Sequence, residues 1–159
     1  MKSSKYTKIA EKTYLHIKSV MPICCVDLLI RDEQENILML LRGNEPAKNQ
    51  WWFPGGRVFF EEKRHEAATR KLKEECNLST PCIFELKTYD VILPLPENNL
   101  SHAITTVFSI KVKGVKPQIN LDHLHENHAW KKDEEWAAHA LHPFILGVLS
   151  GDESYSYPT

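Results

Sequence analysis

Gly55–Leu78 reads GGRVFFEEKRHEAATRKLKEECNL, and the reading of the whole chain turns on it. Two glycines follow Pro54, and glycine reaches backbone angles closed to other residues, so the chain can turn here and let a ligand approach its backbone. From about Glu61 neither Gly nor Pro interrupts the segment, and Ala67, Ala68, Leu72 and Cys76 recur at the spacing of one inward helical face. Lys71, Glu74 and Glu75 lie three and four residues apart, so their side chains emerge on one patch. Asn77 suits the left-handed residue that closes a helix. Taken alone, a charged helix of this kind reads first as a solvated surface laced with ion pairs.

The spacing is more specific than the charge. Gly56, five residues, Glu62, seven residues, Arg70, then Leu72, Glu74, Glu75 and Leu78 together resemble the Nudix box. That family binds Mg²⁺ with helix carboxylates and acts on nucleoside diphosphates linked to another group. The resemblance implies an α/β fold: a Nudix-type α/β/α sandwich with a mixed β-sheet, spanning residues 1–159 as a single domain. Two positions depart from the pattern. The family has Glu where this chain has Lys71, and Gly where it has Asn77. The second change is mild; the first puts a cation in place of a carboxylate of the usual metal site.

Composition sets bounds around this. At 159 residues the chain fits one domain with material for a real core. A formal net charge of −1 argues against a general nucleic-acid or anionic-membrane binder. No apolar run is long enough to span a bilayer, and the polar N-terminus does not read as a signal peptide. Four cysteines without zinc-like spacing point to reduced thiols and a cytoplasmic protein. Cys24 and Cys25, inside a strand-like run, should face opposite ways, each as a buried thiol.

In chain order, residues 4–19 read as an amphipathic helix ended by Pro22, and Ile23–Ile30 as a buried strand carrying one charge, Asp27. An Asp there needs a partner or a cavity, because an unpaired buried carboxylate is costly. Ile37–Leu41 should pair with that strand as a hairpin. Arg42–Val58 reads as a loop closed by Trp51 and Trp52, whose bulk fits core packing as well as stacking on a base. Arg42 and Arg57, at the two ends of the loop, could both approach the charged helix, and guanidinium groups suit phosphate oxygens. Cys82–Leu95 and His102–Val112 look like strands. Asp122–His128 (DHLHENH) reads as a solvated loop, a second metal site or a catalytic loop. Trp130 and Lys131 end a last strand, Asp133–Leu141 is helical by composition, Pro143–Leu149 fits a short apolar helix, and a mobile tail starts near 151.

Within the family, Arg42, Asn44, Pro46, Ala47, a Trp at 51 or 52, Pro54, Gly55, Gly56, Arg57 and Val58 resemble the GDP-mannose mannosyl hydrolases, which cleave between the sugar carbon and the phosphate oxygen. That branch also lacks the Glu that Lys71 replaces. The resemblance implies a general base at His125, leaving-group clamps at Arg42 and Arg57, and a supporting Asp27. It places substrate against Arg42, Arg57, Asp27 and Trp52. A Mg²⁺ ion (Mn²⁺ as a substitute) would be held by Glu74, Glu75 and the Gly55 carbonyl. A Gln of that branch that helps bind metal falls at Leu124, and a Tyr at Ala103. The implied partner is a nucleotide sugar, with no nucleic acid and no membrane, and the implied assembly is a homodimer. Three readings stay open: hydrolysis at the sugar carbon, ordinary phosphoanhydride cleavage, and binding of a nucleotide sugar without turnover.

Overall fold

The computed structural model describes residues 9–80, 82–114, 119 and 125–151. Its axis is β1 (Ile23–Arg31), the apolar run that carries Asp27. Strand β6 (Leu100–Lys111) lies parallel to it, in register from Ile23 with Ala103 to Arg31 with Lys111. On the other side, β1 pairs antiparallel with β4 (Gly55–Arg57) and, through Arg31 and Ile37, with β2 (Ile37–Arg42). Outside β6 runs β5 (Ile83–Pro94), while β2 carries both β3 (Trp51–Trp52) and β7 (His125–Lys131). Among the described residues the result is one seven-stranded mixed sheet.

Successive side chains on a strand face opposite ways, and β1 uses both faces. Val26, Leu28 and Ile30 pack with Phe108 under α2 (Arg64–Cys76), meeting its Ala67, Ala68, Leu72 and Cys76. Leu29 joins Met39, Trp52, Phe53 and Val107 on the other face, against Trp136 of α3 (Asp133–Ala137) and Phe144 and Ile145 of α4 (Pro143–Ser150). Helices thus cover both faces, the α/β/α layering expected of the sequence. Trp136 is fully buried, and its indole N–H donates to the Ile37 carbonyl at 3.0 Å, so its one polar atom is satisfied. The N-terminal helix α1 (Glu11–Val20) buries none of its residues. Among the described residues no helix is long and apolar enough to cross a membrane.

Several elements differ from their sequence reading. Helix α1 begins at Glu11, with residues 4–8 outside the described part. Helix α2 begins at Arg64, because Glu61 has a φ of 62°, outside the helical range. It closes as expected on Asn77, which is left-handed at φ 52°. The loop from Arg42 to Val58 contains β3 and β4, two short strands that exist only through pairing with β2 and β1. Helix α3 ends early, at Ala137, where a turn from the Trp136 carbonyl to the His139 amide (2.9 Å) replaces it. Cys24 is exposed, and Cys25 is only half-buried because its face of β1 lines a cavity with Ile23 and Asp27. All four cysteines are free. Within DHLHENH, residues 122–124 lie outside the described part, and His125 opens β7 rather than sitting in a loop. The tail from 152 also lies outside it.

Candidate functional site

The site starts from one strand pairing. Leu28 N–H donates to the Pro54 carbonyl and Val58 N–H to the Cys24 carbonyl, both at 2.8 Å. Antiparallel pairs alternate between bonded and non-bonded, so Gly55, opposite Asp27, turns its own N–H and C=O away from β1. The N–H donates to Glu75 Oε2 at 3.1 Å. A Cβ at position 55 would sit 2.3 Å from the Val26 carbonyl oxygen, so only glycine allows this approach.

A buried ion pair locks the glycine turn to the helix. Arg70 Nε donates to Glu62 Oε1 at 2.7 Å and Nη2 to Glu62 Oε2 at 2.8 Å, a bidentate fork. The same Nη2 reaches the Arg57 carbonyl at 3.1 Å, and Nη1 reaches Glu74 Oε2 at 3.1 Å. Glu62 Oε2 also accepts from the Phe59 amide at 2.9 Å.

Lys71 points inward. Its side chain is 14% exposed, its Nζ pairs with Glu75 Oε1, and it lies 3.5 Å from Glu74 Oε2. It crosses the open face of Gly56, where a Cβ would meet its Cε at 3.1 Å. Glu75 is 3% exposed, and burial raises its carboxyl pKa against the opposing pull of Lys71, His125 and the Gly55 amide.

The other sequence-named residues converge here. Arg42 and His125 face each other across β2 and β7, at the register shift between Leu41 and Arg42. Arg42 Nε donates to the Pro46 carbonyl at 2.7 Å, just beyond the cis Glu45–Pro46 bond. The Arg57 guanidinium lies over the Tyr14 ring of α1 at 4.3 Å. Asp27 accepts from Thr105 Oγ1 at 2.6 Å; burial pushes its pKa up to about 6, with Thr105, Arg42 and the Trp52 side chain pulling the other way. Trp52 is buried, with its ring 5.4 Å from those of His142 and Phe144, so it presents little face to a ligand. Asp27, Arg42, Trp52, Gly55, Arg57, Glu74, Glu75 and His125 all line one cavity of about 630 Å³. That volume is in the range of small-molecule sites.

Sequence reading missed four contributors. Tyr14 and Thr105 reach the site only through the tertiary fold, and no local signal marks them. Arg70 is visible in the spacing, but nothing in the spacing shows that it reaches the site. Asn44, in the quoted pattern, lines the cavity, and its Oδ1 is buried with no donor among the described residues.

The expected metal ligands Gly55, Glu74 and Glu75 are gathered at one place, but their arrangement does not fit a divalent ion. Both Glu75 oxygens are engaged, by Lys71 and the Gly55 amide, and Glu74 Oε2 by Arg70. A divalent ion within about 4 Å of an ammonium is repelled by about 8 kcal/mol at an effective dielectric of about 20. Among the described residues no three His, Cys, Asp or Glu side chains are grouped to hold a metal.

The NUDIX domain model matches residues 21–146. The chain belongs to the Nudix family. A curated relative, the low-salt glycan biosynthesis protein Agl8 of Haloferax volcanii, is 28% identical over 146 residues, 90% of each chain. Two solved Nudix structures share the fold. The NUDIX domain of Shewanella oneidensis NrtR, complexed with ADP ribose, is 18% identical with a TM-score of 0.67, covering 89% of this chain and 96% of that one. The MutT NUDIX hydrolase of Burkholderia pseudomallei is 22% identical with a TM-score of 0.69, covering 82% and 97%. Nudix hydrolases generally use a divalent metal such as Mg²⁺ or Mn²⁺, which makes Lys71 the outstanding departure of this chain.

Proposed function

We propose that this Nudix protein hydrolyses a nucleoside diphosphate sugar, with GDP-mannose as the substrate and GDP and mannose as the products. The observation that carries the reading is the convergence of Arg42, Arg57 and His125 on one cavity, with Arg42 and His125 directly opposed on neighbouring strands. The glycan-biosynthesis role of the Haloferax relative supports a sugar-bearing ligand.

In this reading water attacks the anomeric carbon from the face opposite the diphosphate. The carbon–oxygen bond breaks, and its electron pair leaves on the phosphate oxygen. His125 takes the proton from the water, since a neutral imidazole is a competent base near neutral pH. Arg42 and Arg57 neutralise the charge growing on the departing diphosphate. Asp27, held by Thr105, supports the cavity wall beside Arg42. The Mg²⁺ or Mn²⁺ implied by the box has no step in this scheme, because Lys71 and Arg70 engage the oxygens it would need. The reading also carries a homodimer and a cytoplasmic setting.

The test is product analysis after incubation with GDP-mannose in ¹⁸O-water, with and without Mg²⁺. The expected result is GDP and mannose, with the label in mannose. GMP and mannose phosphate, with label in phosphate, would replace this reading by ordinary phosphoanhydride cleavage. Binding without any product would make the chain a nucleotide-sugar binding module.

A further inference from the structure

We propose that Lys71 is a tethered cation standing in for the divalent ion, so that this site grips the diphosphate of its ligand without metal. The inference rests on the diphosphate reading above and concerns how that group is held.

Three observations carry it. First, the Lys71 side chain is largely buried, turned into the cavity and laid across Gly56. Second, its ammonium takes one oxygen of Glu75 and approaches one of Glu74, the two carboxylates of the box best placed for a metal. Glu75 is deeply buried, and a buried carboxylate requires a compensating positive charge; Lys71 supplies it from the same helix, one turn earlier. Third, the cavity that contains this ammonium is also lined by Arg42, Arg57 and Arg70, beside the Glu74 and Glu75 carboxylates that Arg70 and Lys71 pair with. Phosphate oxygens arriving between them meet fixed cations and N–H donors without needing a metal bridge. A lysine acts on phosphate as a compact point charge, the property that a bound divalent ion would otherwise contribute.

Gly56 belongs to the same device. It has a φ of 155°, and any side chain on it would press on the Lys71 stem. The bare backbone there leaves the ammonium room to reach Glu75.

The test is calorimetric titration of the full chain with GDP, in metal-free buffer containing excess EDTA and again with Mg²⁺. The expected affinities agree within about threefold. Lys71→Gln should weaken GDP binding in EDTA by roughly 10- to 100-fold. Lys71→Glu, which restores the acidic residue of the box, should bind Mn²⁺ as read by electron paramagnetic resonance, and should bind GDP only with metal present. Wild-type binding of GDP that vanishes in EDTA would overturn the proposal. So would a wild-type chain that binds Mn²⁺ as tightly as Lys71→Glu. Should either variant fail to fold by circular dichroism, the wild-type comparison in EDTA and Mg²⁺ decides alone. Absence of GDP binding under both conditions would instead remove the diphosphate reading itself.

Discussion

Asp27 shows how a single buried carboxyl reports its surroundings. Its pKa is pushed up from 3.8 to about 6, chiefly by burial. A raised carboxyl pKa favours the neutral form in the folded state, so its contribution to stability is fully present below about pH 4 and is lost as pH rises through about 6. Against Asp27→Asn, the native chain should therefore lose on the order of 3 kcal/mol between about pH 4 and pH 7.5. Urea unfolding of both chains at the two pH values measures this, and parallel pH dependence would show that Asp27 is not shifted. His125 belongs to the same scale. Under the proposed chemistry, His125→Gln should cut kcat by about 100-fold or more and leave GDP affinity within about threefold. Steady-state kinetics together with calorimetry separate the two quantities, and unchanged turnover would take the base role from His125.

At the scale of the element, α2 and the turn before it act as one unit because Arg70 binds Glu62 across them. The Glu62 side chain is 0% exposed and that of Arg70 16%. Removing one partner of a buried pair leaves the other charge uncompensated, so Arg70→Met should destabilise by about 3–5 kcal/mol, while Arg70→Met with Glu62→Leu should recover much of the loss. Thermal melts of the two variants decide it; equal melting temperatures would mean that the pair is not coupled. The same unit marks how far sequence can be read. The inward face of α2 and its Asn77 stop were legible because helical periodicity is local. The strands β3 and β4 were not, since two or three residues make a strand only when another strand lies beside them. Thr105 was hidden for the same reason, standing 78 residues from the Asp27 that it binds. The orientation of Lys71 stayed open in the sequence. It is resolved by the burial of Glu75 and the missing side chain at Gly56, two facts about surroundings rather than about spacing.

For the whole molecule, the division of labour is between a sheet packed on both faces and a helix, α1, that adds no residue to either core. Helix α1 buries no residue, yet it lines the cavity with Glu11, Tyr14 and Lys18 and lays Tyr14 over Arg57. Deleting residues 1–20 should leave the melting temperature within about 5 °C but weaken GDP binding by roughly 3- to 10-fold, through loss of the ring that shields Arg57. A collapse in melting temperature would show instead that α1 supports the fold. The order of strands has one more consequence. Arg42 closes β2 early in the chain, but its counterpart His125 arrives on β7, the last strand to be synthesised. While the chain is still on the ribosome the cavity lacks that wall, so a nucleotide has no complete site to occupy before residue 125 has been added. Any protection that a ligand gives this protein in the cell therefore begins only once β7 has joined the sheet.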